Sequence, residues 1–195
     1  MTEEKFSPED SLRLIQSMIE KTKEDFAQNA FFYLLWGWLI FIASLAQYIL
    51  MVVVHYPKHY LVWNLMWVGG IISMIYGIRY KRRVKVKTYM SEAMELFGIG
   101  SGISFTILAM VFLYNEMWKF AFPIYLILYG FCSFVSGAIL RFKPLRWAAF
   151  ACWAISIASS FVSYQSQLLL MAVSVLAAYI IPGYLLRAKN RKQIA

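Results

Sequence analysis

His55 and His59 are the chain's two histidines. Four residues apart, they would share one face of a helix and offer two imidazoles to a metal. Pro57 stands between them and favours a turn, and no acid or thiol lies near enough to complete a zinc set. Two cysteines, Cys132 and Cys152, sit in separate apolar runs. Neither their spacing nor their setting suggests a metal or redox pair, and they read as small packing residues at similar depth on adjacent helices. Glu92 and Glu95 come closest to a carboxylate pair, but with Lys85 and Lys87 nearby they read as counter-charges. There is no HExxH, phosphate loop or GxSxG, and no nucleophile has a base beside it. The expectation is a protein that is not an enzyme and has no cofactor or metal site.

The remaining polar candidates are neutral and lie in apolar surroundings. Gln47 and Asn64 read as the only amides deep in such segments. An amide in hydrocarbon needs partners, so each should bond another helix or a ligand. Small residues recur at four-residue spacing: Gly98, Gly102 and Thr106 in one run, and Ala148, Cys152, Ser156 and Ser160 in another. Ser133 and Gly137 add a third pair. Such ridges let helix backbones approach closely in lipid, and the competing reading is hydroxyls lining a polar path. The ridges are expected to face other helices and not lipid. Pro182, followed by Gly183, takes away the amide that would bond to the carbonyl of Ala178, so a kink or a gate is expected there.

These positions need a scaffold, and the apolar patterning supplies one. The chain has 195 residues, 61% of them hydrophobic. Apolar stretches cover roughly 31–54, 60–80, 96–114, 120–140, 147–164 and 168–186, and none contains Asp or Glu. Each reaches or approaches the ~20 residues that cross ~30 Å of hydrocarbon. Tight turns follow the first, third and fifth, so the sequence predicts an all-α polytopic membrane protein of six transmembrane helices in three hairpins, residues 30–187, with a basic tail at 188–195. The absence of carboxylates argues against a proton-coupled carrier.

The net charge of +9 is distributed by side. Of the 19 basic residues only Lys58 and Lys119 fall in the turns after the first and third stretches. The rest, including Arg79 to Lys87, Arg141 to Arg146 and Arg187 to Lys192, fall on the other side. This is the positive-inside pattern: both termini are expected in the cytoplasm of a bacterial inner membrane, with no nucleic acid as partner. The first 29 residues lack the basic start and short apolar core of a secretory signal.

Residues 1–29 predict a cytoplasmic amphipathic helix. Ser7-Pro8-Glu9-Asp10 is a helix start, and Leu12, Ile15, Ile19, Thr22 and Phe26 follow at helical spacing. No Gly or Pro lies between Glu9 and Trp36, so nothing stops this helix from running into the first span. Residues 1–30 hold seven acids against four bases, a net of −3. Surface helices that bind anionic lipid are basic, so this one should seek the chain's own basic loop, Arg82 and Arg83 included, or a basic protein partner.

Aromatic residues mark both interfaces: Tyr56, Tyr60, Trp63, Tyr114, Trp118 and Tyr164 at one side, Tyr33, Trp36, Trp38, Tyr80, Trp147 and Tyr184 at the other. Gly77, Gly137 and Gly183 each precede a base by four residues, which hints at a triplicated hairpin.

The run Phe31 to Trp38 after an acidic helix, the segment Leu128 to Gly137 with Arg141 to Leu145, and the closing Ile180 to Leu186 together resemble small multi-pass inner-membrane proteins of Bacteroidota that have no assigned activity. The three-hairpin plan also resembles the HdeD-type membrane proteins in architecture. These features lead to an expected non-enzymatic membrane-anchored docking or regulatory module. Its partners would be the lipid bilayer, a soluble cytoplasmic protein and a second copy of itself. The alternative is a channel or facilitator for a neutral or hydrophobic solute.

Overall fold

The computed structural model describes the backbone of residues 8–83 and 89–192, and side chains within 29–80, 82 and 89–189. The described residues form helices joined by short turns, with no strand among them. The helices are α1 (Pro8–Val52), α2 (Leu65–Arg83), α3 (Tyr89–Asn115), α4 (Trp118–Ile139), α5 (Lys143–Ser159), α6 (Tyr164–Val175) and α7 (Ile181–Lys192). A 3-10 helix, His59–Asn64, leads into α2, and a π-helical turn, Leu176–Ile180, joins α6 to α7.

Five segments are long and apolar enough to cross a membrane: Asn29–Val52, His59–Tyr80, Tyr89–Asn115, Trp118–Ile139 and Tyr164–Lys189. The sixth expected span, 147–164, becomes α5, 17 residues long. At 1.5 Å per residue that is about 26 Å, slightly short of the hydrocarbon thickness. Its end moves from 164 to Ser159 because the local hydroxyls favour a turn. Ser159 and Ser160 both donate back to the carbonyl of Ser156, at 2.8 and 3.2 Å, which competes with helix continuation. Tyr164 consequently opens α6 and does not close α5.

α1 is one uninterrupted helix of 45 residues, starting at the predicted Pro8. The expected boundary at residue 29 is therefore not a break in structure. Three short turns are closed by non-glycine residues in the left-handed region: His55 (φ 55°), Glu116 (φ 53°) and Arg141 (φ 49°).

Packing cuts across the three-hairpin order. The most extensive contacts join α4 to α5 and α1 to α6, the π turn and α7. α2 leans mainly on α1, and α3 on α4, at the periphery. The core is built from α1, α4, α5 and α6–α7, and Ile40, Leu126, Leu145, Leu168 and Leu186 are fully buried in it. Backbones approach closely where glycine allows it. A Cβ at Gly37 would lie 2.9 Å from Ile180, and one at Gly183 would lie 3.0 Å from Leu34. Gly137 is similarly tight against Leu145 and Arg146, while Gly77 faces open space. The three glycines of the suggested triplication therefore do different jobs.

Pro182 does interrupt the last span, though by widening it. The N–H of Ile181 bonds to the carbonyl of Leu176, five residues back, and the helix then continues. A π turn takes in one extra residue and so absorbs the hydrogen bond that proline cannot make.

Candidate functional site

Gln47 lies on α1, less than two turns from its end, and is fully buried. Its side chain uses both amide hydrogens and its oxygen. Nε2 donates to Nδ1 of His59 at 3.1 Å and to the hydroxyl of Tyr164 at 3.2 Å. Oε1 accepts from the indole N–H of Trp63. His59 must then carry its proton on Nε2, as the acceptor role of Nδ1 requires. Four side chains from α1, the 3-10 helix and α6 thus meet at one end of the bundle. Phe122 of α4 closes the group, its ring 5.8 Å from Trp63 and 5.3 Å from Tyr164. A buried network with every member paired fixes the mutual position of its helices.

The 3-10 helix explains how His59 and Trp63 arrive together. Residues 59–64 follow the turn at Val53–Lys58, and His59 and Trp63 reach Gln47 from successive turns of this helix without sharing one face, since it has three residues per turn. His55, by contrast, bonds the carbonyl of Val53 at 3.2 Å within its own turn. The two histidines do not converge, and among the described residues no group of three His, Cys, Asp or Glu could hold a metal ion.

The other sequence candidates disperse. Asn64, expected about one turn into a span, lies within the apolar segment His59–Tyr80 but is exposed at the last residue of the 3-10 helix. The deep amide that sequence reading missed is Gln167, 1% exposed on α6. It fell in a presumed turn, but Tyr164, Gln167, Leu168 and Met171 follow the spacing of a buried helical face, and that was the available signal. Ser156 is buried and donates to the carbonyl of Pro123 at 2.8 Å, a structural bond between α5 and α4. Ala148 and Cys152 share its buried face as expected.

The ridge of α3 does not behave as expected. Gly98, Gly102 and Thr106 are exposed, nothing lies within 4 Å of a Cβ at Gly98 or Gly102, and Thr106 only bonds back to the carbonyl of Gly102. They floor an open groove of about 490 Å³ with Ile99, Ile103, Ile107 and Met110. The part of α3 that packs on α4 is the adjacent strip, where Phe105 stacks on Tyr125 and contacts Tyr129, and where Phe112 packs on Tyr125. The aromatic face buries more apolar area than the glycine face and turns α3 accordingly.

A second cluster fills the middle of the bundle. The rings of Tyr33 and Tyr179 lie 5.1 Å apart, and those of Tyr129 and Tyr179 5.3 Å apart. Tyr33 is hydrogen-bonded to Ser136, whose hydroxyl donates to the carbonyl of Cys132. Tyr33, expected in an interfacial belt, is buried in the core, while Tyr164, expected by an outer turn, opens α6 beside such a turn and also bonds Gln47. Cys132 and Cys152 are both free and buried.

Of the expected docking surface, Arg82 is exposed, while the side chains of Leu12, Ile15, Ile19, Phe26 and Arg83 lie outside the described residues. Their backbones are described. Phe31 stacks on Tyr76, with ring centroids 4.0 Å apart, and Gly69 abuts Trp36 and Leu39. This antiparallel register brings Arg82 and Arg83 level with Asp25 and Glu24. Residues before Glu24 run past the last helical residue of α2.

No family model, curated protein or solved structure matches the chain.

Proposed function

We propose that this protein is a non-enzymatic membrane-anchored docking module, and that its working part is the N-terminal arm of α1. The observation that carries this reading is the unbroken helix from Pro8 to Val52. Its apolar span, Asn29–Val52, suffices to cross the bilayer. The remaining residues, 8–28, extend it by about 30 Å at 1.5 Å per residue. An arm continuous with a membrane helix cannot fold back onto the bundle without a break, and no Gly or Pro offers one. Backbone register carries residues 12, 15 and 19 beyond the end of α2, and on this reading their apolar stripe serves a partner.

The arm is acidic and the bundle end beneath it is basic. Attraction between Glu24 and Asp25 and the end of α2 would hold the arm upright, at about 0–1 kcal/mol per exposed pair. The fitting partner is a soluble protein with an apolar groove rimmed by basic residues, on the cytoplasmic side of a bacterial inner membrane. Co-purification of the full chain and of an Ile15→Glu/Ile19→Glu variant tests this. A stoichiometric soluble protein that is retained by the first and lost from the second is the expected result. If none is retained and residues 9–27 exchange amide hydrogens as fast as an unstructured peptide, the proposal fails.

A second reading, a facilitator for a neutral solute, is favoured by one observation: polar side chains lie in depth at the Gln47 end of the bundle.

A further inference from the structure

Gln47 and Tyr164 sit on antiparallel helices and are hydrogen-bonded to each other. One turn deeper on each helix, on the same faces, stand Ser44 and Gln167. Stepping back three residues on α1 and forward three on α6 keeps them level. Ser44 is fully buried and Gln167 is 1% exposed. Ser44 Oγ and Gln167 Oε1 are both without a hydrogen-bond partner. The next layer down is Ile40 and Met171, buried and apolar. Polar side chains therefore form a short column that starts at the partly exposed His59, Trp63 and Tyr164, passes Gln47 and stops at a seal.

Two orphaned oxygens at one level of a packed membrane bundle cost more than a single hydrogen bond gains. Their chemistry defines what would satisfy them. The amide Oε1 can only accept, so the ligand must donate. Ser44 Oγ can do either. Among the described residues no charged group lies in the layer to balance an ion, which leaves a neutral molecule.

We propose that the layer between Ser44 and Gln167 binds one small neutral hydroxyl-bearing molecule, admitted from the His59 end past the Gln47–Tyr164 hydrogen bond. The hydroxyl donates to Gln167 Oε1 and pairs with Ser44 Oγ. Its source is water or a small alcohol.

Thiol reactivity in the full-length protein in detergent tests this. In a Cys132→Ala/Cys152→Ala background, Ser44→Cys is compared with Ile40→Cys for modification by methyl methanethiosulfonate. A thiol in a hydrated layer ionises and reacts, whereas one in dry packing is inert. Ser44→Cys should react at least about tenfold faster than Ile40→Cys, and Tyr164→Phe, which weakens the lid, should raise the rate further. Glycerol or ethylene glycol that slows Ser44→Cys, but not a control Tyr114→Cys, identifies a small alcohol as ligand. Unchanged rates identify water. A Ser44→Cys as inert as Ile40→Cys overturns the site. Should Ser44→Cys fail to fold, the melting temperature of Gln167→Met decides. A fall shows that a bonded molecule has lost its acceptor. A rise shows that the oxygen was simply unpaired, and this too overturns the site.

Discussion

Gln47 and Tyr164 are 117 positions apart in sequence and joined by a 3.2 Å hydrogen bond. That bond ties the end of α1 to the start of α6, and through Trp63 and His59 the same glutamine holds the 3-10 helix. One amide thereby fixes three elements. The apolar contacts around it could tolerate some sliding, because dispersion is not directional. A fully used amide cannot slide without leaving three groups unpaired.

Replacing this amide should be costly. Gln47→Leu keeps the volume and removes all three bonds, and is expected to lower unfolding free energy by about 1–3 kcal/mol. Asn64→Leu, at an exposed position, should be close to neutral. Paired melting curves in detergent check this. Equal effects would show that the cluster is incidental.

Glycines should separate into two groups. Gly37→Ala and Gly183→Ala push a methyl group into Ile180 and Leu34, at an expected cost of about 1–3 kcal/mol. Gly102→Ala meets nothing and improves helix propensity, so it should be neutral or gain up to about 1 kcal/mol. A large loss at Gly102 would point to a contact between copies of the chain, read out by a change in oligomeric state.

The turn between α3 and α4 stores local strain. Glu116 adopts a φ of 53°, a conformation that costs a side-chain-bearing residue about 1–2 kcal/mol. Glu116→Gly should therefore raise the melting temperature while leaving the helical content unchanged by circular dichroism. A lower melting temperature would mean that the glutamate side chain contributes more than the backbone loses.

Charge asymmetry sets the expected orientation. If all six apolar stretches cross, 17 of the 19 basic residues share one side, and a reporter that is active only in the periplasm should stay silent when fused after Ala195. Activity there would reverse the arm's compartment, and with it the class of partner open to it.

Helix existence was legible in the sequence because hydrocarbon demands long apolar runs whose backbones bond internally, and that constraint acts residue by residue. So was the run of α1 through Trp36, where no breaker intervenes. The break at Pro182 was legible as a position but not as a π turn, since the form of relief depends on how tightly Gly37 and Gly183 press α1 against the last span. Which face each helix buries could not be read. In lipid, small ridges and apolar faces are both compatible with either side, so hydrophobic patterning gives no direction. The glycine face of α3 turned outward, while the same small-residue reasoning that failed for Gly102 held for Cys152 and Ser156, which face inward on α5. The Gln47 cluster required tertiary structure for the same reason. Its four members come from three elements, and only the antiparallel register of α1 and α6 brings Ser44 level with Gln167. Composition and periodicity along one chain determined that these helices form and that several are long and apolar enough to cross a membrane. Which polar atoms meet was decided by the competition among their faces for a shared core.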